Sequence, residues 1–243
     1  MELKPLVLFS AIALMGCQRE QWNDCVTGTG EHATEVRSVG AFTAIELEDR
    51  IDLVLEARSS GSIAVEGGEN LLGQISTEVS EGTLRIRSAM KCNWVRSFKP
   101  RITVHAPVDA LCRITLRGTG DVRCADTLRC DGFLLEQWGG EGSTRLSVRM
   151  DHLDILLHTG AGDALITGRC EEVNLYSGIM APIDAGALRA GAVRVNNSST
   201  GDIRCWAVNE LDAQVRSVGD VYYTGAPATV RSTITGSGSL IHE

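Results

Sequence analysis

No stretch of this sequence stays apolar long enough to cross a bilayer as a helix, which takes roughly 20 residues. The nearest candidate, Leu6 to Met15 after Lys4, is half that length and suits a secretory signal instead. Proline is scarce, 5 against 26 glycines, and no Gly/Ser linker or block of like charge divides the chain. Tight turns with positive φ are therefore expected rather than rigid spacers, in one compact unit of a length ordinary for a large all-β domain. Positive charge is in deficit: 23 Lys plus Arg against 31 Asp plus Glu give a formal net charge of −8. That balance opposes nucleic acid or an anionic lipid surface as partners held through a basic patch. There is no C-x-x-C, no Cys/His grouping with zinc spacing, no Gly-x-Ser-x-Gly elbow, no P-loop and no dinucleotide fingerprint. Nucleophilic, nucleotide and zinc chemistry have no recognisable seat, and no cofactor is expected.

What is present begins at the N-terminus. The apolar run ends in Leu14-Met15-Gly16-Cys17, which resembles the bacterial lipobox. The resemblance implies cleavage after residue 16, acylation of Cys17 and tethering to a membrane in the cell envelope, that of the outer membrane of a Gram-negative bacterium. Two or three acyl chains at about 0.8 kcal/mol per buried methylene make such an anchor nearly permanent. Residues 17–35, with Gln18-Arg19-Glu20-Gln21 and Thr27-Gly28-Thr29-Gly30, read as a flexible tether. Of eight cysteines, seven remain once Cys17 carries lipid, so an oxidising compartment leaves at least one thiol unpaired within the chain.

From residue 118 a tight-turn signature recurs: Gly118-Thr119-Gly120-Asp121, Gly140-Glu141-Gly142-Ser143, Gly160-Ala161-Gly162-Asp163, Thr200-Gly201-Asp202, Val218-Gly219-Asp220 and Gly236-Ser237-Gly238-Ser239. A degenerate copy occupies Gly178-Ile179-Met180-Ala181. The last residues of the copies, 121, 143, 163, 181, 202, 220 and 239, are spaced by 22, 20, 18, 21, 18 and 19. A fixed period of this size marks a repeat architecture. After each turn apolar residues alternate, as in Val122 and Cys124, Ala164 and Ile166, or Ile203 and Cys205. A second alternating run precedes the next turn, as in Leu153, Ile155 and Leu157. Period two means strands with one buried face. Each repeat thus supplies two strands, and repeats that cannot close a core alone must stack, pairing equivalent strands in parallel about 4.8 Å apart. The expectation is an all-β, parallel β-helix of seven coils rising roughly 30 Å, with no helix of consequence. Residues 36–117 read as less regular opening coils, with strands at Phe42–Leu47, Ile51–Leu55, Ile63–Glu66, Gly82–Ile86, Ile102–His105 and Leu111–Leu116.

The succession Val39-Gly40-Ala41-Phe42-Thr43-Ala44-Ile45, Val65-Glu66-Gly67-Gly68-Glu69-Asn70-Leu71-Leu72, Glu81-Gly82-Thr83-Leu84-Arg85-Ile86 and the Gly-x-Gly-Asp turns resembles the auto-transporter adhesin head GIN domain family over about residues 36–243. The resemblance implies exported lipoproteins, particularly of Bacteroidetes, with a single-stranded, right-handed β-helix related in shape to the pectin-lyase group but lacking its catalytic residues, and an adhesive role. Met180 and Pro182 depart from the pattern, so the coil from Ser177 to Leu188 is expected to be irregular or looped out.

The turn aspartates Asp121, Asp163, Asp202 and Asp220 are the most tempting candidates for chemistry. Glycosidases need carboxylates about 5–9.5 Å apart, which adjacent coils supply, and calcium uses such oxygens. Against both, Asp after Gly in a corner bonds neighbouring amides, as Ser143 and Ser239 do at the same phase. The ligand-rich nonapeptide of calcium β-rolls is absent. Cys124 and Cys205 share an inward phase but lie four repeats, about 19 Å, apart, too far to pair. Cys25 and Cys92 are the better-placed partners. Trp22, Trp94, Phe98, Trp138, Tyr176 and Trp206 either fill core layers and cap coil ends or offer stacking platforms for a glycan or a protein. His32, His105, His152, His158 and His242 show no metal-ligand spacing. The leading expectation is non-enzymatic display for adhesion, with Ile241 and His242 in the final coil either capped or open to self-association; the rivals are a polysaccharide-binding or polysaccharide-degrading protein and a periplasmic signalling accessory.

Overall fold

The computed structural model describes residues 28–59, 61–90 and 101–243. Cys17, Cys25, Cys92, Trp22, Trp94 and Phe98 lie outside them. The described chain is a β-solenoid of about six turns with coils of about twenty residues. Seven corner signatures bound six coils, which is why there is one turn fewer than the seven coils expected from the sequence.

Five consecutive coils are long strands: β9 (Val122–Gly140), β10 (Thr144–Gly160), β11 (Ala164–Ser177), β12 (Ile183–Asn197) and β13 (Ile203–Val215). Each pairs in parallel with the next. Every long strand has two arms joined by a bend, and the register slips there, between Arg145 and Ser147, Leu165 and Thr167, or Ala185 and Arg189. The final turn separates the arms outright: β14 (Val221–Thr224) follows the first arm of β13 and β15 (Thr229–Ile234) the second, while β16 (Leu240–His242) adds to β14. The two strands per repeat read from the alternation are these two arms.

Parallel register turns the alternation into interior stacks. On one arm Leu53, Val122, Thr144, Ala164, Ile183, Ile203 and Val221 lie in line; on the other Phe133, Leu153, Val173, Val193 and Leu211 do. All are buried. At about 1.5–3 kcal/mol per fully buried aliphatic side chain, these stacks hold the coils on one another.

The N-terminal portion is built differently. Here β2 (Ala44–Leu47) lies between β6 (Thr83–Ser88) and β8 (Arg113–Leu116), and β3 (Ile51–Glu56) between β7 (Ile102–Pro107) and β9, all in parallel. These are rungs of the solenoid, but the chain fills them out of sequence order rather than coil by coil. Three antiparallel pairings cover the free end. β4 (Ser62–Gly68) runs against β7, β1 (His32–Ser38) against β4 over seven residue pairs, and β5 (Ile75–Ser80) against β6. Glu81 (φ 51°) and Gly82 (φ 72°) make the two-residue turn joining β5 to β6, with both central residues left-handed as a tight hairpin requires. A single helical turn, α1 (Glu69–Leu72), buries Leu71 and Leu72. Residues 32–35, expected in the tether, belong to β1, and β5 had no counterpart in the sequence reading. The coil after Ser177 is not looped out either. Ile183 stays opposite Ala164, Ala181 is buried, and Ile179 and Met180 turn outward.

Candidate functional site: the turn edge and the aromatic row

The corners form one long edge of the solenoid, and the ten glycines singled out in sequence sit along it. Among Gly118, Gly120, Gly140, Gly142, Gly160, Gly162, Gly201, Gly219, Gly236 and Gly238, only Gly160 has a left-handed φ, +103°. Positive φ is therefore not the general reason for glycine. Crowding is: a Cβ at Gly120 would lie 1.8 Å from the Ile51 carbonyl oxygen, at Gly142 2.0 Å from that of Gly120, and at Gly162 2.4 Å from that of Gly142. The same holds at Gly219 against Gly201 (2.1 Å) and Gly238 against Gly219 (2.3 Å). Each corner is glycine because the backbone of the coil before it occupies the side-chain position.

The acidic residues at the same phase are tied to the backbone. Asp121 N–H donates to Asp52 Oδ1 (2.9 Å), and Ser143 N–H to Asp121 Oδ1 (3.0 Å); the Ser143 hydroxyl then donates to Asp163 Oδ1. A second run starts at Asp202, whose Oδ1 accepts from Asp220 N–H (2.9 Å), and Asp220 Oδ1 accepts from Ser239 N–H (2.7 Å). Pro182 falls between the runs. It has no N–H to donate, so the relay from carboxylate to the next amide stops there. Arg101 Nη1 reaches both Asp52 and Asp121, at 3.0 Å each. The Ser143 amide, with Arg101 next, holds the Asp121 carboxyl below the usual carboxylate range despite partial burial. Carboxylates spent in this way stitch one coil to the next. Among the described residues no group of three His, Cys, Asp or Glu side chains is arranged to hold a metal ion.

Polar residues inside the corners escaped the sequence reading. Gln137, Ser177 and Asn197 are fully buried and stacked in one line with Leu157. Gln137 Nε2 donates to the Gly140 carbonyl (3.1 Å), the Ser177 hydroxyl to that of Ala181, and Asn197 Nδ2 to those of Gly201 (3.0 Å) and Asp220 (3.2 Å). Their signal was a polar residue three or four places before each corner, at a phase the alternation assigns to the interior.

The five described cysteines, Cys112, Cys124, Cys130, Cys170 and Cys205, are all free thiols. Cys205 and Cys170 are buried, whereas Cys124, expected inside, is half-buried. Burial pushes the Cys170 and Cys205 thiols up to about 12 and Cys130 to about 11, so they stay protonated and unreactive at neutral pH.

None of the described tryptophans fills a core layer. Trp138, 41 % exposed, stacks on His158 (centroids 3.9 Å, 15° between planes), and Tyr176 follows at 5.4 Å from His158, so the three rings form an outward row across successive coils. Trp206 lies half-buried under the Arg189 guanidinium, 5.0 Å from its ring centre. The other histidines meet carboxylates or backbone. His105 sits between Glu66 (2.9 Å) and Glu56 (3.3 Å), His32 against Glu66, and His152 against Asp154, while His242 stacks on Tyr223.

No curated protein shows significant similarity to the chain. Among solved structures, a putative adhesin from Bacteroides fragilis is 28 % identical, with a TM-score of 0.79 over 88 % of this chain and 97 % of that one. A putative lipid binding protein from Parabacteroides distasonis (21 % identical, TM-score 0.68) and a putative adhesin from Parabacteroides merdae (19 %, 0.66) each match over 89 % of this chain and 98 % of theirs, and share the fold. The family described as "Putative auto-transporter adhesin, head GIN domain" matches residues 41–227. That span takes in every strand from β2 through β14 and every corner from Gly118 to Asp220, and the chain belongs to the auto-transporter adhesin head GIN domain family.

Proposed function

We propose that this protein is a non-enzymatic, lipid-anchored display module of the bacterial cell envelope, presenting the outer faces of its solenoid for adhesion. Cys17 is the acylated residue, and the segment between it and His32 is the tether. The observation that carries the non-catalytic part is the use of the edge carboxylates. Asp121, Asp202 and Asp220 each accept a backbone amide from the following coil, which makes them mortar rather than an acid–base pair. The family membership supports the adhesive part, and Leu14-Met15-Gly16-Cys17 supports the anchor. Self-association belongs at the C-terminal end, where every residue of β15 is exposed and Val230 and Ile234 keep 44 % and 48 % of their surface open.

Metabolic labelling with an alkynyl fatty acid tests the anchor. The wild-type protein should take up label and fractionate with membranes, and Cys17→Ala should do neither. Equal labelling of the variant overturns the anchor. Depolymerisation of a polysaccharide by the purified protein, lost in Asp202→Ala or Asp220→Ala, would replace display with catalysis.

A further inference from the structure

The bend between the two arms of each coil carries a second periodic motif: Arg129-Cys130-Asp131, Arg149-Met150-Asp151, Arg169-Cys170-Glu171 and Arg189-Ala190-Gly191. The parallel stack converts this spacing of twenty into a ladder. Arg129 pairs with Arg149, Arg149 with Arg169, and Arg169 with Arg189, so four guanidinium-bearing residues follow one another at about 4.8 Å intervals along the solenoid axis. All four are exposed. Like charges directly opposite one another are unfavourable, and a surface shaped for stability alone alternates them. The row Asp154, Asn174, Arg194, Asp212, Arg231 on the second arm does alternate, and closes on itself through Asn174 to Asp154 (2.6 Å) and Arg231 to Asp212 (3.9 Å). By contrast, no side-chain hydrogen bond or ion pair within 4.0 Å joins the guanidinium of Arg129, Arg149 or Arg169 to another described residue. Only Arg189, at the end of the ladder, has a partner, the Trp206 ring.

The ladder is the middle of a strip three side chains wide. Two residues before it run the hydroxyls of Thr127, Ser147 and Thr167, also in register, with Thr127 Oγ1 and Ser147 Oγ 3.4 Å apart. Two residues after it run the exposed carboxylates of Asp131, Asp151 and Glu171. The arginines and acids of three coils line an open cleft of about 550 Å³, and a smaller one of about 220 Å³ continues past Arg169 to Arg189.

We propose that this strip binds a linear, uronate-bearing polysaccharide lying along the solenoid axis, its carboxylates held by Arg129, Arg149, Arg169 and Arg189. Four chemical features select that ligand. The guanidinium fork matches a planar carboxylate with two parallel hydrogen bonds, and no lysine occurs after Lys99, so every rung uses the fork. Repetition along one axis over four rungs, about 14 Å, fits a polymer rather than a small molecule. The acidic row accepts hydrogen bonds from sugar hydroxyls, groups that nucleic acid backbones and lipid phosphates offer sparsely. Together with the net charge of −8, that row disfavours a polyanion that offers it no hydroxyls, leaving a partner whose every unit carries one carboxylate beside free hydroxyls. The adhesive reading supplies only the cellular setting for this proposal, as the ligand class it would display against.

The test uses the full chain in detergent micelles, titrated with polygalacturonate, with neutral dextran, single-stranded DNA and phosphatidylglycerol vesicles as comparisons. Polygalacturonate should bind at least about tenfold more tightly than dextran, with affinity falling as salt is raised. Arg149→Ala/Arg169→Ala should lose about tenfold or more, and Arg149→Lys/Arg169→Lys at least about threefold, since lysine keeps the charge and loses the fork. Both variants replace exposed residues, and unchanged urea unfolding will show that the fold is kept. Binding of polygalacturonate no tighter than dextran, or unaltered in the double alanine variant, overturns the proposal. So does tighter binding of DNA or vesicles that is lost in that variant, which would give the ladder to a nucleic acid or a membrane. Lost fatty-acid labelling with intact polygalacturonate binding would sink the anchor alone; the reverse would sink the strip alone.

Discussion

Residues 32–107 and residues 122–242 both pair strands edge to edge, yet the first set mixes directions and the second keeps one. In the second, each rung rests on the rung formed about twenty residues earlier, and the last strand of its second arm, β15, has no further described strand beside it and is exposed throughout. In the first, β1 and β5 run against the strands they cover, closing the edges that β4 and β6 would otherwise present. The contrast shows that a stack of identical rungs does not define its own ends. Closing one requires strands that break the repeat, and here the closed end is N-terminal.

Five substitutions sharpen that contrast. The two largest effects are expected where the two regions meet and in the middle of the stack. Gly120→Ala puts a methyl 1.8 Å from the Ile51 carbonyl oxygen and should cost about 3 kcal/mol in urea unfolding. Gly132→Ala, whose nearest neighbours are 3.9 Å away, should change stability by less than about 0.5 kcal/mol. Equal effects would remove the crowding explanation for the glycine period. Next, Leu153→Ala in the middle of the stack should cost about 2–5 kcal/mol, and Val230→Ala on the open last rung less than about 1 kcal/mol. A comparable loss at Val230 would mean that the C-terminal end is covered in solution.

A smaller effect is expected from Asp121, which joins the regions through Asp52, Arg101 and Ser143. Its folded carboxyl titrates below its unfolded value, so its stabilisation is present in full above the ordinary carboxylate range and is lost as pH falls through the depressed value. Asp121→Asn should therefore flatten the acid limb of stability below about pH 4, by under about 1 kcal/mol because the pair is largely solvated. An unchanged acid limb would show that the amide contact carries no charge-dependent stabilisation. The smallest signal is chemical. Exposed Cys112 should react with a thiol reagent well before buried Cys205, and the opposite order would mean that the last coils open readily.

How far each region could be read from sequence follows from the same contrast. In the coils the partner of a residue is about twenty positions away, so the period that reveals the repeat also gives the pairing. Val122, Thr144 and Ala164 could be aligned without coordinates. In the N-terminal region the partner of Leu53 is Val122 and that of Ala44 is Arg113, separations no local pattern encodes. Its strands were visible by alternation, but their order and direction were not. β1 was missed because its residues are mostly exposed and lack alternation; it gains order from seven pairs with β4. On the turn edge the residues were legible and the cause was not, since the glycines answer to a neighbouring coil rather than to their own φ. The arginine ladder went unread because net charge sums over the whole surface, while a period of twenty concentrates one sign on a single line.

The central claim is that twenty-residue rungs lie in register, one directly above the next, and an engineered crosslink tests it most directly. Thr127→Cys/Ser147→Cys places thiols on adjacent rungs, where the parent hydroxyls stand 3.4 Å apart, and mild oxidation should join 127 to 147 within one chain, as peptide mass spectrometry would identify. Thr127→Cys/Thr167→Cys sets them two rungs apart, about 9.6 Å, beyond the reach of a disulfide, and should stay reduced. Crosslinking of 127 to 167, with 127 and 147 left unjoined, would contradict the stack.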